Sequence, residues 1–145
     1  MSLTIFNQGS LPVLKRLVQF TEARQKLIAH NIANVSNPYF KPVDVDPKSF
    51  QRVMARAVDQ RRSSSAPRST PLDLPAHGPV SFEPSGLRLN PAPSHEGPLA
   101  HDENNRDVLK LMQDLAENSL AHNAGLELIR NEMSLLRTAI RGRVG

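Results

Sequence analysis

Apolar residues recur at helical spacing in two stretches of the chain, one near each end. In the first stretch, residues 10–34, they recur every three or four positions, and Pro12 stands where a first helical turn tolerates proline. This pattern predicts an amphipathic helix with Ser10 as its N-cap. We expect the helix to end near Asn34, because the pair Asn37-Pro38 disfavours its continuation.

The second stretch, residues 105–141, carries the stronger pattern. Ten positions follow an unbroken four-three spacing and eight of them are apolar, which indicates a coiled-coil seam. A helix this long needs another helix to cover its seam. The polar His122 within the seam is interpreted as setting the register or contacting a neighbour, rather than as a metal ligand. The ten positions are Val108, Met112, Leu115, Ser119, His122, Leu126, Ile129, Met133, Leu136 and Ile140.

The middle of the chain is proline-rich, since eight of the twelve prolines lie between positions 67 and 98. Short alternations at residues 80–82 and 87–89 predict brief strands, residues 48–58 a short helix, and residues 61–76 a flexible stretch. We therefore predict a mainly α protein. Its N-terminal helix (1–37) and C-terminal helix (104–145) pair as an elongated coiled coil, and a small irregular or short-β middle (38–103) lies between them.

The composition excludes several classes of protein. The chain has 145 residues, of which 4% are aromatic and none is cysteine, so we expect neither a large core, a disulfide nor a thiolate site. No apolar run is long enough to span a membrane, and the N-terminus lacks the pattern of a cleaved signal peptide.

Candidate chemistry is weak throughout the sequence. The five histidines show no metal-ligand spacing, and Asp44 and Asp46 fit turn chemistry better than a metal site. The net charge of +4 is concentrated in residues 1–62, but the basic cluster at residues 52–62 has no interleaved aromatics for stacking on bases. We expect no enzyme, no cofactor, no metal and no nucleic-acid partner.

Both ends of the chain resemble a known family. The segment 28–41 is similar to the N-terminal signature of bacterial flagellar axial proteins, with matches at Asn31, Ile32, Ala33, Asn34, Pro38 and Lys41. Tyr39 stands where the family has glycine, and because tyrosine resists a positive φ we expect this turn to be built differently. Residues 105–120, 126–129 and 136–143 resemble the proximal rod proteins of the flagellar basal body.

The resemblance implies a structural subunit without catalytic activity. It implies export through the flagellar type III apparatus without a cleaved signal peptide, and assembly in the periplasm as part of the basal-body rod. The implied partners are copies of the chain itself, other rod proteins, the adaptor that joins the rod to the membrane ring, and the export gate. Phe50 and Met54 resemble the family's export-gate recognition motif.

The helix-pairing and assembly interface is expected to use the apolar positions of both helices. In this picture the first helix faces the seam of the last one. The residues are Leu17, Phe20, Leu27, Ile28, Ile32, Val108, Met112, Leu115, Leu126, Ile129, Met133, Leu136 and Ile140.

Three other functions stay open at this point. The heptads alone also permit a soluble coiled-coil adaptor or dimerisation module. The family signature permits another rod protein, and the sequence pI near 10 is the one feature that favours a small nucleic-acid-binding protein.

Overall fold

A computed structural model describes residues 9–37, 39–65, 71–83, 86–93 and 108–142. The described part contains three helices and four short strands. They are α1 (Leu11–Asn34), β1 (Val43–Asp44), α2 (Pro47–Ser63), β2 (Val80–Glu83), β3 (Gly86–Leu89), β4 (Ala92–Pro93) and α3 (Val108–Arg141).

Helices α1 and α3 pack against each other along most of α1, and they run antiparallel. Ser10, which precedes α1, meets Glu132 late in α3, whereas Arg24 lies near Asp114 early in α3. The Ser10 side chain was expected to cap α1. It makes no side-chain cap and instead donates a hydrogen bond to the Glu132 carboxylate, so it links the two helices.

Helix α2 is longer than the sequence predicted. Asp46 caps its start by accepting a hydrogen bond from the backbone N–H of Lys48 at 3.0 Å, and Pro47 occupies the first turn. The helix runs to Ser63 rather than ending near residue 58, and in its last turn the buried Arg61 donates through Nη1 to the carbonyl oxygen of Gly9 at 3.4 Å. The beginning of the stretch predicted to be flexible, residues 61–63, is therefore helical. Residues 66–70 of that stretch lie outside the described residues.

The strands of the middle segment form two antiparallel pairs. Strand β2 pairs with β3, with Val80 opposite Leu89, which confirms the two strands predicted from the alternating pattern. Strand β1 pairs with β4, with Val43 opposite Pro93. A two-stranded pair is marginal alone in water, so each pair depends on the helices for its stability.

The main core lies between α1 and the middle segment. Phe20 of α1 stacks on Phe50 of α2, with ring centroids 4.4 Å apart, and Val45, Met54 and Val80 complete this buried cluster. Helix α1 thus contributes one face to this core and another to the contact with α3. The architecture confirms the predicted mainly α fold, with paired outer helices and a short-β middle.

Candidate assembly interface

Helices α1 and α3 approach each other closely at Gly125. A Cβ atom built at this position would lie 3.1 Å from Cγ2 of Val18 and 3.4 Å from Cδ2 of Leu17. Because glycine has no Cβ, the two α1 side chains can lie directly on the α3 backbone. The sequence analysis did not identify this residue, although an isolated glycine within a strong helical pattern is a signal for close packing.

A polar layer crosses the same interface one turn further along α1. The side-chain amide of Asn118 donates to the carbonyl oxygen of Thr21 at 2.8 Å, and both residues are buried. The Thr21 hydroxyl lies 2.9 Å from the carbonyl oxygen of Leu17 and 2.9 Å from Nδ1 of His122. The tautomer of His122 decides whether Nδ1 donates to the Thr21 hydroxyl or accepts from it.

This geometry confirms that His122 contacts the neighbouring helix through a hydrogen bond. Polar pairs that must match across two helices disfavour every register except one, because any shift leaves a buried donor without an acceptor. The layer therefore fixes how α1 and α3 align.

A buried arginine joins three elements at the next turn. Arg24 is 5% exposed, and it donates through Nε and Nη2 to both oxygens of Asp44, at 3.0 and 2.6 Å. Its Nη2 also lies 3.8 Å from Oδ1 of Asp114, so α1, β1 and α3 meet at one guanidinium. Burial raises the pKa of the Asp114 carboxyl above its usual value, against the opposing attraction of Arg24.

Asn31, a residue of the family signature, makes the backbone hydrogen bonds to β1 that a neighbouring strand would otherwise make. Its side-chain amide donates to the carbonyl oxygen of Val43 at 2.7 Å, while its Oδ1 accepts from the backbone N–H of Val43 at 3.1 Å. Asn31 therefore ties the end of α1 to β1. Asn34 behaves as its helix-stop position predicts, because its amide donates to the carbonyl oxygen of His30, one turn earlier, at 2.8 Å.

Of the other signature positions that the structure describes, Ile32 is half-buried and two are exposed. Ala33 and Lys41 are exposed, and Pro38 lies outside the described residues. The expectation that Tyr39 changes the turn was wrong: Tyr39 adopts the positive φ of 62° that suits glycine, and the backbone N–H of Phe40 closes the turn on the carbonyl oxygen of Asn37 at 3.3 Å. Tyr39 therefore adopts the turn, although a positive φ costs free energy in a residue that has a Cβ atom.

The row of α3 that faces α1 most directly differs from the predicted seam by one residue. The buried positions of α3 are Leu111, Asn118 and Gly125, which are spaced seven apart. This row was not predicted, because two of its three members are not apolar. The predicted seam residues Leu115, Leu126, Ile129, Met133 and Leu136 are half-buried beside it, and Val108, Met112 and Ile140 are exposed.

The predicted α1 residues divide between two neighbours. Ile28 is buried, and Leu17, Leu27 and Ile32 are half-buried. Phe20 was expected to face α3, but it stacks on Phe50 in the main core, because the middle segment contributes the aromatic partner. Phe50 and Met54, the pair similar to an export motif, are both buried in that core.

Helix α3 also carries leucines that the described chain leaves half or more exposed. We call Leu109, Leu120, Leu128 and Leu135 the outer leucines; each is between 50% and 81% exposed. Large exposed apolar side chains on one element are typical of a surface that binds another protein. The sequence analysis did not single them out, since they lie off the four-three seam.

The described residues offer other sites little support. No described helix is long and apolar enough to cross a membrane. Among the described residues, no group of three or more histidine, aspartate or glutamate side chains is placed to hold a metal ion.

The fold and this interface define a mainly helical protein whose long C-terminal helix keeps exposed apolar side chains. No protein-family model matches the chain. The flagellar basal body rod protein FlgB of Bacillus subtilis (strain 168) is 26% identical over 142 residues, covering 92% of this chain and 95% of the relative. The FlgB of Cereibacter sphaeroides is 30% identical over 136 residues, covering 93% of this chain and 96% of the relative. The chain belongs to the family of flagellar basal body rod proteins.

Proposed function

We propose that the chain is a structural subunit of the rod of the bacterial flagellar basal body, and that it does not act as an enzyme. The observation that carries this proposal is the similarity to FlgB proteins over more than nine-tenths of both chains. The outer leucines support it, because a rod subunit needs apolar surface that only neighbouring subunits cover.

We further propose a position in the proximal rod. The partners are copies of the chain, other rod proteins, the adaptor between rod and membrane ring, and the export gate. The paired helices α1 and α3 form the inner part of each subunit. The half-buried seam residues, such as Leu126 and Met133, and the outer leucines make contacts between subunits.

Export by the flagellar type III apparatus, without a cleaved signal peptide, precedes assembly in the periplasm in this proposal. Phe50 and Met54 are buried in the folded chain, so recognition through them requires an unfolded subunit. A small core and a polar layer between the helices fit a chain that is easily kept unfolded before assembly.

The test uses one outer leucine and a matched exposed control on the same helix. Leu128→Glu and Asn123→Glu are each expressed in a host strain from which the native gene has been deleted. Leu128→Glu should fold as the unaltered chain does, because the residue is exposed, but it should abolish swimming and leave basal bodies without a complete rod. Asn123→Glu should restore both.

Two outcomes would contradict the proposal. One is normal swimming in the deletion strain, which would show that the chain is not a rod subunit. The other is a purified chain that forms a single stable dimer by light scattering and is absent from isolated basal bodies. That result would favour a soluble coiled-coil adaptor, which the heptads also permit.

A further inference from the structure

Tyr39 has a backbone conformation that a residue with a side chain adopts at a cost. Its φ is 62°, and among the described residues it is the one non-glycine residue with a positive φ. Residues other than glycine give up roughly 1 kcal/mol in this left-handed region, because Cβ crowds the neighbouring carbonyl oxygen. A strained backbone of this kind is kept where the surrounding structure, or a function, favours that conformation.

The ring of Tyr39 receives no compensation within the described part of its own chain. The side chain is 81% exposed, whereas the adjacent Phe40 is half-buried, with its ring centroid 5.6 Å from that of His30. An aromatic ring normally contributes stability by burying its surface. At Tyr39 the chain therefore carries both a backbone cost and an uncovered apolar ring.

Among the described residues, the apolar surface that could cover this ring lies on α3. Apart from Tyr39, every large exposed apolar side chain in the described residues belongs to that helix. Because α1 and α3 are antiparallel, with Arg24 near Asp114, Tyr39 lies beyond the end of α1 at the end of the pair where α3 begins. Leu120 is already about 18 Å along α3 from Val108. Most of the outer leucines are thus out of reach of Tyr39 in the same chain.

We propose that Tyr39 is an intersubunit anchor whose ring packs on the outer leucines of α3 in a second copy of this chain. The inference rests on the proposed function, in that it assumes a chain that assembles with its own copies. Tyrosine suits this role because its rigid ring loses little conformational entropy on binding, and because one face can lie on leucines while the hydroxyl stays at the wet edge. The turn holds the ring away from the body of its own subunit.

The first test separates folding from assembly. Tyr39→Asn removes the ring but keeps a residue that tolerates a positive φ, and Tyr39→Phe keeps the ring. Tyr39→Asn should unfold thermally at the same temperature as the unaltered chain or higher, yet swimming and rod assembly should fall at least tenfold. Tyr39→Phe should retain most of both. Normal assembly of Tyr39→Asn would overturn the proposal.

A second test measures the environment of the ring directly. The chain has one tyrosine and no tryptophan, so its intrinsic fluorescence reports on Tyr39 alone. Iodide should quench this emission strongly in a dilute purified sample and several-fold less in a concentrated, self-associated one. Equal quenching in the two samples, with self-association verified by light scattering, would show that the ring stays uncovered and would overturn the proposal.

A third test identifies the surface that covers the ring. The photo-crosslinking amino acid benzoylphenylalanine replaces Tyr39 in one strain and the exposed Gln51 in a control strain. Irradiated basal bodies should yield a crosslink from position 39 to the segment 120–135 of a second copy, and position 51 should not. A crosslink from position 39 to a different protein, or none in assembled rods, would overturn the proposal.

If the chain is not a rod subunit, these experiments give a different result. The chain would then be absent from basal bodies altogether, whatever residue stands at position 39. In that case the same irradiation is carried out on the purified, self-associated chain, where a crosslink from position 39 to segment 120–135 still decides the Tyr39 contact.

Discussion

Replacing Gly125 tests how closely α1 and α3 approach each other. A Cβ at this position would lie 3.1 Å from the Val18 methyl, closer than ordinary van der Waals contact. Gly125→Ala gains about 1 kcal/mol of helix propensity but forces the Val18 and Leu17 side chains to yield slightly. We expect the two effects to offset each other, so that the free energy of unfolding stays within about 1 kcal/mol of its original value.

Gly125→Leu should behave very differently. The additional side chain would have to enter space that Leu17 and Val18 already fill, and overpacking of this kind costs about 3 kcal/mol. The matched control is Asn123→Leu, which adds a similar apolar side chain at an exposed position of the same helix. We expect that variant to change stability by less than about 0.5 kcal/mol.

Urea denaturation of the full chain, followed by far-ultraviolet circular dichroism, measures these differences. The midpoint of Gly125→Leu should fall well below that of the unaltered chain, while the midpoints of Gly125→Ala and Asn123→Leu should stay close to it. If Gly125→Leu and Asn123→Leu unfold at the same urea concentration, then α1 does not lie on Gly125 and the description of the helix pair is wrong.

Three further predictions concern the buried polar contacts. Arg24→Met should lower the free energy of unfolding by about 3–5 kcal/mol in urea denaturation, because it leaves Asp44 and Asp114 without their cation. Asp114→Asn should raise the melting temperature at about pH 7 and leave it unchanged at about pH 3. The folded chain loses stability as the pH rises from the ordinary carboxyl range through the raised pKa of Asp114, because the folded state favours the protonated carboxyl. The amide of the variant cannot ionise and so avoids this loss. Asn31→Ala should lower the free energy of unfolding by about 2–3 kcal/mol in the same denaturation assay. It should also speed amide exchange at Val43, whose N–H loses its acceptor. Asn31→Asp should keep that acceptor and protect the N–H better than alanine does.

The long helices and the strands β2 and β3 were predictable because their signals are local, whereas β1 and β4 were not predicted. Four-three spacing depends on the helix itself, and the alternation at residues 80–82 depends on the strand itself. The face that each helix presents was harder to predict. Asn118 and Gly125 lie at the centre of the α1–α3 contact through a hydrogen bond and through the absence of a side chain, and neither property adds to a hydrophobic pattern.

Contacts between distant segments were the part that the sequence could not reveal. The bidentate pairing of Arg24 with Asp44 depends on β1 folding back beside α1, and the stacking of Phe20 on Phe50 depends on the placement of α2. The prediction for the turn at Tyr39 was wrong for the opposite reason, because it relied on a local preference alone. Local preference argued against a positive φ there, but the turn kept the backbone shape that the glycine of the family signature would favour.

The contact between Asn31 and Val43 has a consequence for solubility. Val43 pairs with Pro93 on one side, while the Asn31 amide occupies both of its hydrogen-bonding groups on the other. The exposed edge of a β-sheet can pair with a strand of another molecule, and such pairing is a route to aggregation and amyloid. Here the Asn31 side chain occupies both backbone groups of Val43, so no strand of another molecule can pair with the chain at that residue.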